Sequence, residues 1–261
     1  MNKSIPKKRF KQDDYKQLIN RERFRTFSTC FMGNQIMAVD SASLLSQNTE
    51  IFGNEVYKFK ANTTCPRIID VGSNIGLSII YYKLMFPSAK ITGFEPDPEI
   101  FKALDFNLNS FEFKDVEIIN KACFGNSGIY NFTSDHADGG YLNQHGKLVS
   151  GLKKVEAVRL STYLDEPIHF LKLDVEGSEL SILDECKSKL ENIDNLFVEY
   201  HSFTKKPQSM SLVLRILEES GFRYYIEQNN AKRKHPFISN KVYDENEMDY
   251  QANIFCTRTA Y

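Results

Sequence analysis

At 261 residues, the chain has room for one large α/β domain with additions or for two small ones, and 41% hydrophobic and 13% aromatic residues supply a real core. A formal net charge of -1 excludes a global field suited to nucleic acid or an acidic membrane as main partner. Five scattered cysteines (Cys30, Cys65, Cys123, Cys186, Cys256) with no Cys-x-x-Cys pair exclude a disulfide framework and a zinc site, and read as reduced core thiols.

The basic run 3–11 reads as a solvated terminus. Residues 13–25 are polar and helix-compatible. Two β-like runs follow at 27–31 and 35–40, joined by Met32-Gly33-Asn34, a hairpin signal. Residues 41–54 read as a short helix and 56–59 (VYKF) as another strand. After Pro66 the pattern becomes strand, helix, strand. Strand 67–71 leads to helix 75–86, and strand 90–95 to helix 98–110, which Pro98 opens. Strand 116–123 follows. Between 124 and 166 the chain breaks into shorter β-like pieces, 130–134 and 153–160, around the loop 135–147. Further strands at 169–175, 196–201, 222–227 and near 252–258 alternate with helices at 177–190 and 208–220. Strands separated by helix-length segments imply a mostly parallel sheet covered on both faces. No apolar run approaches the ~18 residues of a membrane span and no leader is visible, so a soluble, cytoplasmic chain is expected.

The run RIIDVGSNIG carries the chemistry. A dinucleotide loop needs a second glycine where Asn74 stands, and a phosphate loop needs a Gly-Lys-Ser/Thr that is missing. Asp70 at the strand end would repel a pyrophosphate, yet suits a ligand bearing a cationic amine. S-adenosylmethionine is such a ligand: it has an ammonium, a sulfonium and no phosphate. Glu95, at the end of the next strand, can accept both ribose hydroxyls of an adenosine.

A second polar cluster lies in IHFLKLDVEGSEL. Lys172 and Asp174 share one face at the end of an apolar strand, where polar groups are costly unless they meet a site. Glu179 reads as a first-turn acid favoured by the helix dipole. In the next strand Glu199 and His201 share a face, and a carboxylate beside a histidine fixes its tautomer and raises its basicity. A rival reading takes Asp174, Glu199 and His201 as ligands of a divalent metal, and spacing leaves both open. His136, His145, His169 and His235 fall in loops or at a strand edge and are not expected to be catalytic.

The segments IIDVGSNIGLSII, GFEPDPEIFKALDFNL, NKACFGNSG, LKLDVEGSELSILD and LFVEYH, in that order across residues 50–258, resemble the FkbM-type S-adenosylmethionine-dependent methyltransferases. The resemblance implies a Rossmann-like class I methyltransferase fold: a seven-stranded, mostly parallel sheet with an antiparallel insertion strand and helices on both faces. Residues 1–60 would form an N-terminal α+β cap and 61–261 the cofactor domain. It further implies methyl transfer to a hydroxyl of a sugar, glycan or secondary metabolite, giving S-adenosylhomocysteine. By matching position, Asp70, Gly72, Ser73, Asn74 and Gly76 would line the methionine part of the cofactor. Glu95, with Pro96 and Asp97, would hold its ribose; Asn120, Lys121 and Ala122 would pass its adenine; Asp174 and Glu176 would sit beside the reaction centre. The expected base is His201, oriented by Glu199, with Asp174 and Lys172 holding the acceptor or a cation. The first 50 or so residues match nothing in the family, and Asp138-Gly139-Gly140-Tyr141 only loosely matches a variable loop, so acceptor choice is expected in those two segments. A nicotinamide oxidoreductase fails at Asn74. An inactive binding scaffold, or a methyltransferase acting on protein or nucleic acid, stands as the alternative, and a homo-oligomer is allowed.

Overall fold

The computed structural model describes residues 9–134, 140–143, 153–228 and 248–258, with Pro6, His235, Phe237 and Ile238 besides. The chain opens with helix α1 (Gln12–Ile19) and a hairpin of β1 (Phe27–Phe31) and β2 (Asn34–Ala38). Met32 (φ 52°) and Gly33 (φ 89°) both take left-handed backbone at its turn, the twist that matches two paired strands. Asp40 caps α2 (Ser41–Gln47), accepting from the Ser43 amide, and a π-helical turn, Asn48–Gly53, continues it.

Next come β3 (Arg67–Val71), α3 (Leu77–Met85), β4 (Lys90–Phe94), α4 (Pro98–Ser110) and β5 (Val116–Ile119). Pro98 at the first turn and the Asp97 cap, which accepts from the Glu99 amide at 2.9 Å, start α4 where the sequence places it. The strands β6 (Ala122–Cys123), β7 (Gly128–Ser134), β8 (Gly140–Asn143) and β9 (Lys153–Val158) precede β10 (Phe170–Asp174) and α5 (Glu179–Cys186). The chain then runs through β11 (Asn195–Phe203), α6 (Met210–Glu219), β12 (Arg223–Gln228) and β13 (Met248–Thr257).

Seven strands form the main sheet in the order β12-β13-β11-β10-β3-β4-β5. Its core pairs are parallel, and β13 runs antiparallel to both β11 and β12. The Rossmann-like expectation holds, including the antiparallel insertion strand. Period-two alternation sends Ile68, Phe170 and Phe197 to one face and Ile69, Leu171 and Val198 to the other. On the first face, α3, α4 and the N-terminal elements share one apolar cluster with the sheet. That sandwich explains why α3 is buried on every side from Leu77 to Lys83. On the second face, α5 and α6 close the other cluster. Among the described residues, no helix is long and apolar enough to cross a membrane.

Three expectations need correction. Residues 56–59 are not a strand: their alternation comes from Tyr57 and Phe59 packing on Phe197 and Phe170, ring centroids 5.0 and 4.7 Å apart, without a backbone partner. The run 116–123 is two strands. A tight turn, Lys121 amide to Ile119 carbonyl at 2.9 Å, ends β5 and sends β6 into a separate sheet of order β6-β9-β7-β8. The cysteines are unpaired, but Cys65 is exposed and Cys30 half-buried, so only Cys123, Cys186 and Cys256 are core thiols. The loop 135–147 lies outside the described residues except for Gly140–Asn143, and with it His136 and His145.

Candidate active site

The parallel strands deliver their polar ends to one edge of the sheet. Just past β3 the backbone turns at Gly72 (φ 85°), whose amide, with that of Ser73, donates to the Phe94 carbonyl at 3.0 and 2.9 Å. A Cβ at position 72 would overlap the Asp174 carbonyl oxygen, so glycine lets the loop pass against the end of β10. Asn74 (φ 48°) and Gly76 (φ 89°) complete the loop and hand over to α3. The Asn74 side chain accepts from the Ile75 amide at 2.7 Å and from Gln47 Nε2 at 3.2 Å, which ties α2 to the loop.

Glu95 lies under this loop, 5% exposed, with Oε2 accepting from the Asn74 amide at 2.9 Å and Oε1 from the Asp97 amide at 2.8 Å. Burial raises it to about 7, against the pull of those two amides. Each oxygen keeps a lone pair for a further donor, as ribose hydroxyls require.

Asp70 is fully buried. Its Oδ2 accepts from Ser78 Oγ at 2.5 Å, and its Oδ1 has no hydrogen-bond donor, the Lys172 ammonium standing off at 3.5 Å. Burial raises the Asp70 carboxyl, partly offset by Lys172 and Ser78. Lys172 Nζ donates to the Gly72 carbonyl at 2.7 Å and pairs with Asp174 Oδ2 at 3.1 Å. Burial acts against its charge, but Asp174 and Asp70 outweigh it and raise its pKa. Lys172 is thus fully engaged in holding the ends of β3 and β10 together, rather than facing an acceptor.

Beyond β10, Glu176 (φ 53°) and Gly177 (φ 93°) turn the chain into α5. Register places Asp174 beside Glu199 on β11. The expected His201–Glu199 pair is the main correction. His201 Nδ1 meets Glu179 Oε1 at 2.8 Å, while Nε2 stands 3.6 Å from Glu176 and 3.9 Å from Glu199. Glu179 also accepts from the Gly177 amide at 2.9 Å, and Glu199 instead accepts from Gln251 on β13. Burial opposes charge on His201, but Glu176, Glu179 and Glu199 together hold it well above the ordinary imidazole value. Burial, then Asp174, pushes Glu199 well above the usual carboxylate range.

The ligand atoms of Asp174, Glu176 and His201 lie within 4.8 Å of one another, so Glu176 replaces Glu199 in the group that could hold a cation. Not every expected residue joins the crevice. The Asp97 side chain caps α4 and pairs with Lys153 at 2.8 Å, Pro96 is half-buried, and Lys121 pairs with Glu156 at 2.7 Å. Asn120 reaches back to the carbonyls of Glu95 and Pro96 at 2.8 and 3.2 Å, and Ala122 belongs to the smaller sheet. Ser73 donates to the Asp70 carbonyl at 2.9 Å. His169 accepts from the Arg67 amide at 3.1 Å, a structural place, and His235 is exposed. The sequence reading missed Glu179 and Gln251 as members of the polar face. Of these, Glu179 carried a signal, as the second acid of Val-Glu-Gly-Ser-Glu.

This arrangement fits an S-adenosyl ligand. The donor-less Asp70 Oδ1 and the gathering of Asp174, Glu176 and Glu179 about His201 favour a cation, and Glu95 keeps lone pairs for hydroxyls.

Residues 70–224 match the Methyltransferase FkbM domain family. "Methyltransferase 1" of Beauveria bassiana (strain ARSEF 2860) is 26% identical over 204 residues, 69% of this chain and 81% of its own. Methyltransferase sdnD of Sordaria araneosa is 28% identical over 214 residues, 66% of this chain and 80% of its own. Among solved structures, the methyltransferase FkbM of Methylobacillus flagellatus KT aligns with a TM-score of 0.50 at 14% identity, over 76% of this chain and 45% of that one. The chain therefore spans under half of that protein. The SAM-dependent methyltransferase of Agrobacterium tumefaciens aligns with a TM-score of 0.51 at 8% identity, over 92% and 72%. At such identities the structural likeness shows the fold alone, that of class I methyltransferases.

Proposed function

We propose that this chain, which belongs to the FkbM family of S-adenosylmethionine-dependent methyltransferases, methylates a hydroxyl oxygen of a sugar, glycan or secondary metabolite. One observation carries the reading: the 72–76 loop after β3, the buried Glu95 after β4 and the His201 imidazole of β11 share one edge of the sheet, with β10 between β3 and β11. Asp70, Gly72, Asn74 and Gly76 would cradle the methionine part of the cofactor, and Glu95 its ribose. The bound cofactor supplies a methyl group already activated by its sulfonium, so the protein contributes alignment and proton removal.

His201 Nε2 takes the acceptor proton as the new O–C bond forms, and Glu179 holds the ring through Nδ1, in place of the expected Glu199. Asp174 and Glu176, grouped with His201, would line the side where the acceptor meets the sulfonium. Lys172 positions Gly72 and Asp174 rather than reacting. The five unpaired cysteines support a reducing, cytoplasmic setting.

The test follows release of S-adenosylhomocysteine in a panel of hydroxylated acceptors, with His201→Gln as control. Loss of about 100-fold or more in turnover with cofactor affinity retained supports the reading. Unchanged turnover removes His201 from the chemistry, and an absence of S-adenosylhomocysteine binding points to a scaffold instead.

A further inference from the structure

A cleft of about 650 Å³ opens between the π-helical turn and the β12–β13 edge of the sheet. We propose that it is the acceptor subsite and that it takes a hydroxylated ring bearing a protonated amine, a proposal that rests on the methyl-transfer reading above. Three observations carry it.

The first is position. Asn253 and Glu50 line the cleft, and Asn253 stands directly opposite Glu199 in the β11–β13 register. Side chains so paired are neighbours on one face of the sheet, roughly 5 Å apart. The cleft therefore opens onto the face that carries Glu199 and His201.

The second is an unmet acceptor. Asn253 is 4% exposed; its Nδ2 reaches Glu50 Oε1 at 3.4 Å, while its Oδ1 meets no donor among the described residues. A buried amide oxygen left so is costly, and an ammonium or hydroxyl of a ligand would satisfy it.

The third is the balance of charge and aromatic surface. Among the described residues, Glu50, Glu55 and Glu227 line the cleft against one cation, Lys58, and that cation is engaged by Glu55 at 2.7 Å. A phosphate, sulfate or carboxylate would be repelled there and an ammonium drawn in. Tyr225 is 61% exposed beside Phe255, ring centroids 6.0 Å apart and planes 34° apart, and offers a flat face to the apolar side of a sugar-like ring. The volume is of the size that encloses a small ligand.

The experiment titrates D-glucosamine, D-glucose and D-glucose 6-phosphate into the full chain saturated with S-adenosylhomocysteine, followed by saturation-transfer NMR. Glucosamine should bind about ten-fold more tightly than the sugar phosphate, with glucose between them. The double variant Glu50→Gln, Glu227→Gln should bring glucosamine to the level of glucose. Tyr225→Ala should weaken glucosamine and glucose together, with affinity for S-adenosylhomocysteine unchanged in both variants. Sugar phosphate binding as tightly as glucosamine, a preference that survives the double variant, or no sugar binding to the loaded protein overturns the subsite. Failure of S-adenosylhomocysteine to bind the unaltered chain overturns the methyl-transfer reading, and the subsite with it.

Discussion

Replacing Gly72 with alanine strikes the contact that joins the loop after β3 to the end of β10. The new Cβ would stand 3.1 Å from the Asp174 carbonyl carbon and overlap its oxygen; the obstacle is backbone, so no rotamer change relieves it. The residue must also hold φ 85°, which costs an L side chain roughly 1–2 kcal/mol. Forcing a methyl into packed surroundings costs about 1–3 kcal/mol more. Moving the two segments apart also stretches the 2.7 Å bond from Lys172 to the Gly72 carbonyl, which anchors a buried ammonium between two acids. The sum is roughly 2–5 kcal/mol against a typical total of about 5–15, so the variant folds with a clearly lowered urea midpoint. The loop displacement should also weaken S-adenosylhomocysteine more than ten-fold by calorimetric titration. A loss of unfolding free energy under about 1 kcal/mol with unchanged affinity would refute the reasoning. A large shift with unchanged affinity would show that the loop does not hold the cofactor.

The other predictions concern protons. Glu95, raised to about 7, must be ionised to receive two ribose hydroxyls, so S-adenosylhomocysteine affinity should fall about ten-fold from pH 8 to pH 6; Glu95→Gln should bind more weakly and lose that dependence. His201 holds its proton above the usual imidazole range, so turnover should rise with pH to a limit above about 6.5; Glu179→Gln should move that limit to lower pH and lower the plateau, read from the pH–rate profile. Asp40 is buried as a helix cap; burial opposes its charge, but Arg23 and the amides of Phe24 and Ser43 depress it to about 2. A depressed carboxyl contributes stability that is present above about pH 4 and lost as pH falls through 2. Asp40→Asn should therefore cost roughly 1–2 kcal/mol at pH 7, discounted because Arg23 is half-exposed, and little near pH 2.

Period two alone put Lys172 on one face with Asp174 and Glu199 on one face with His201, because a strand has no other way to display alternate residues. The loop was legible for a similar reason: Asp70, Gly72, Asn74 and Gly76 carry local constraints of charge and left-handed backbone that any partner must respect. What the sequence hid was non-local. Glu179 looked like an ordinary first-turn acid, and only the folding of α5 against β11 brings it to 2.8 Å from His201. Asp97 and Lys121 looked like cofactor contacts, but distant Lys153 and Glu156 claim their side chains. The segment 56–59 alternated like a strand because two aromatic rings seek the core, and periodicity does not report whether a backbone partner is present.

The most direct test is a crystal structure with S-adenosylhomocysteine bound. The ligand should lie across the ends of β3 and β4, with its amino group near Asp70, its ribose hydroxyls within hydrogen-bond distance of Glu95, and its sulfur turned toward Asp174, Glu176 and His201. A ligand seated elsewhere, or one whose sulfur faces away from His201, would contradict the account.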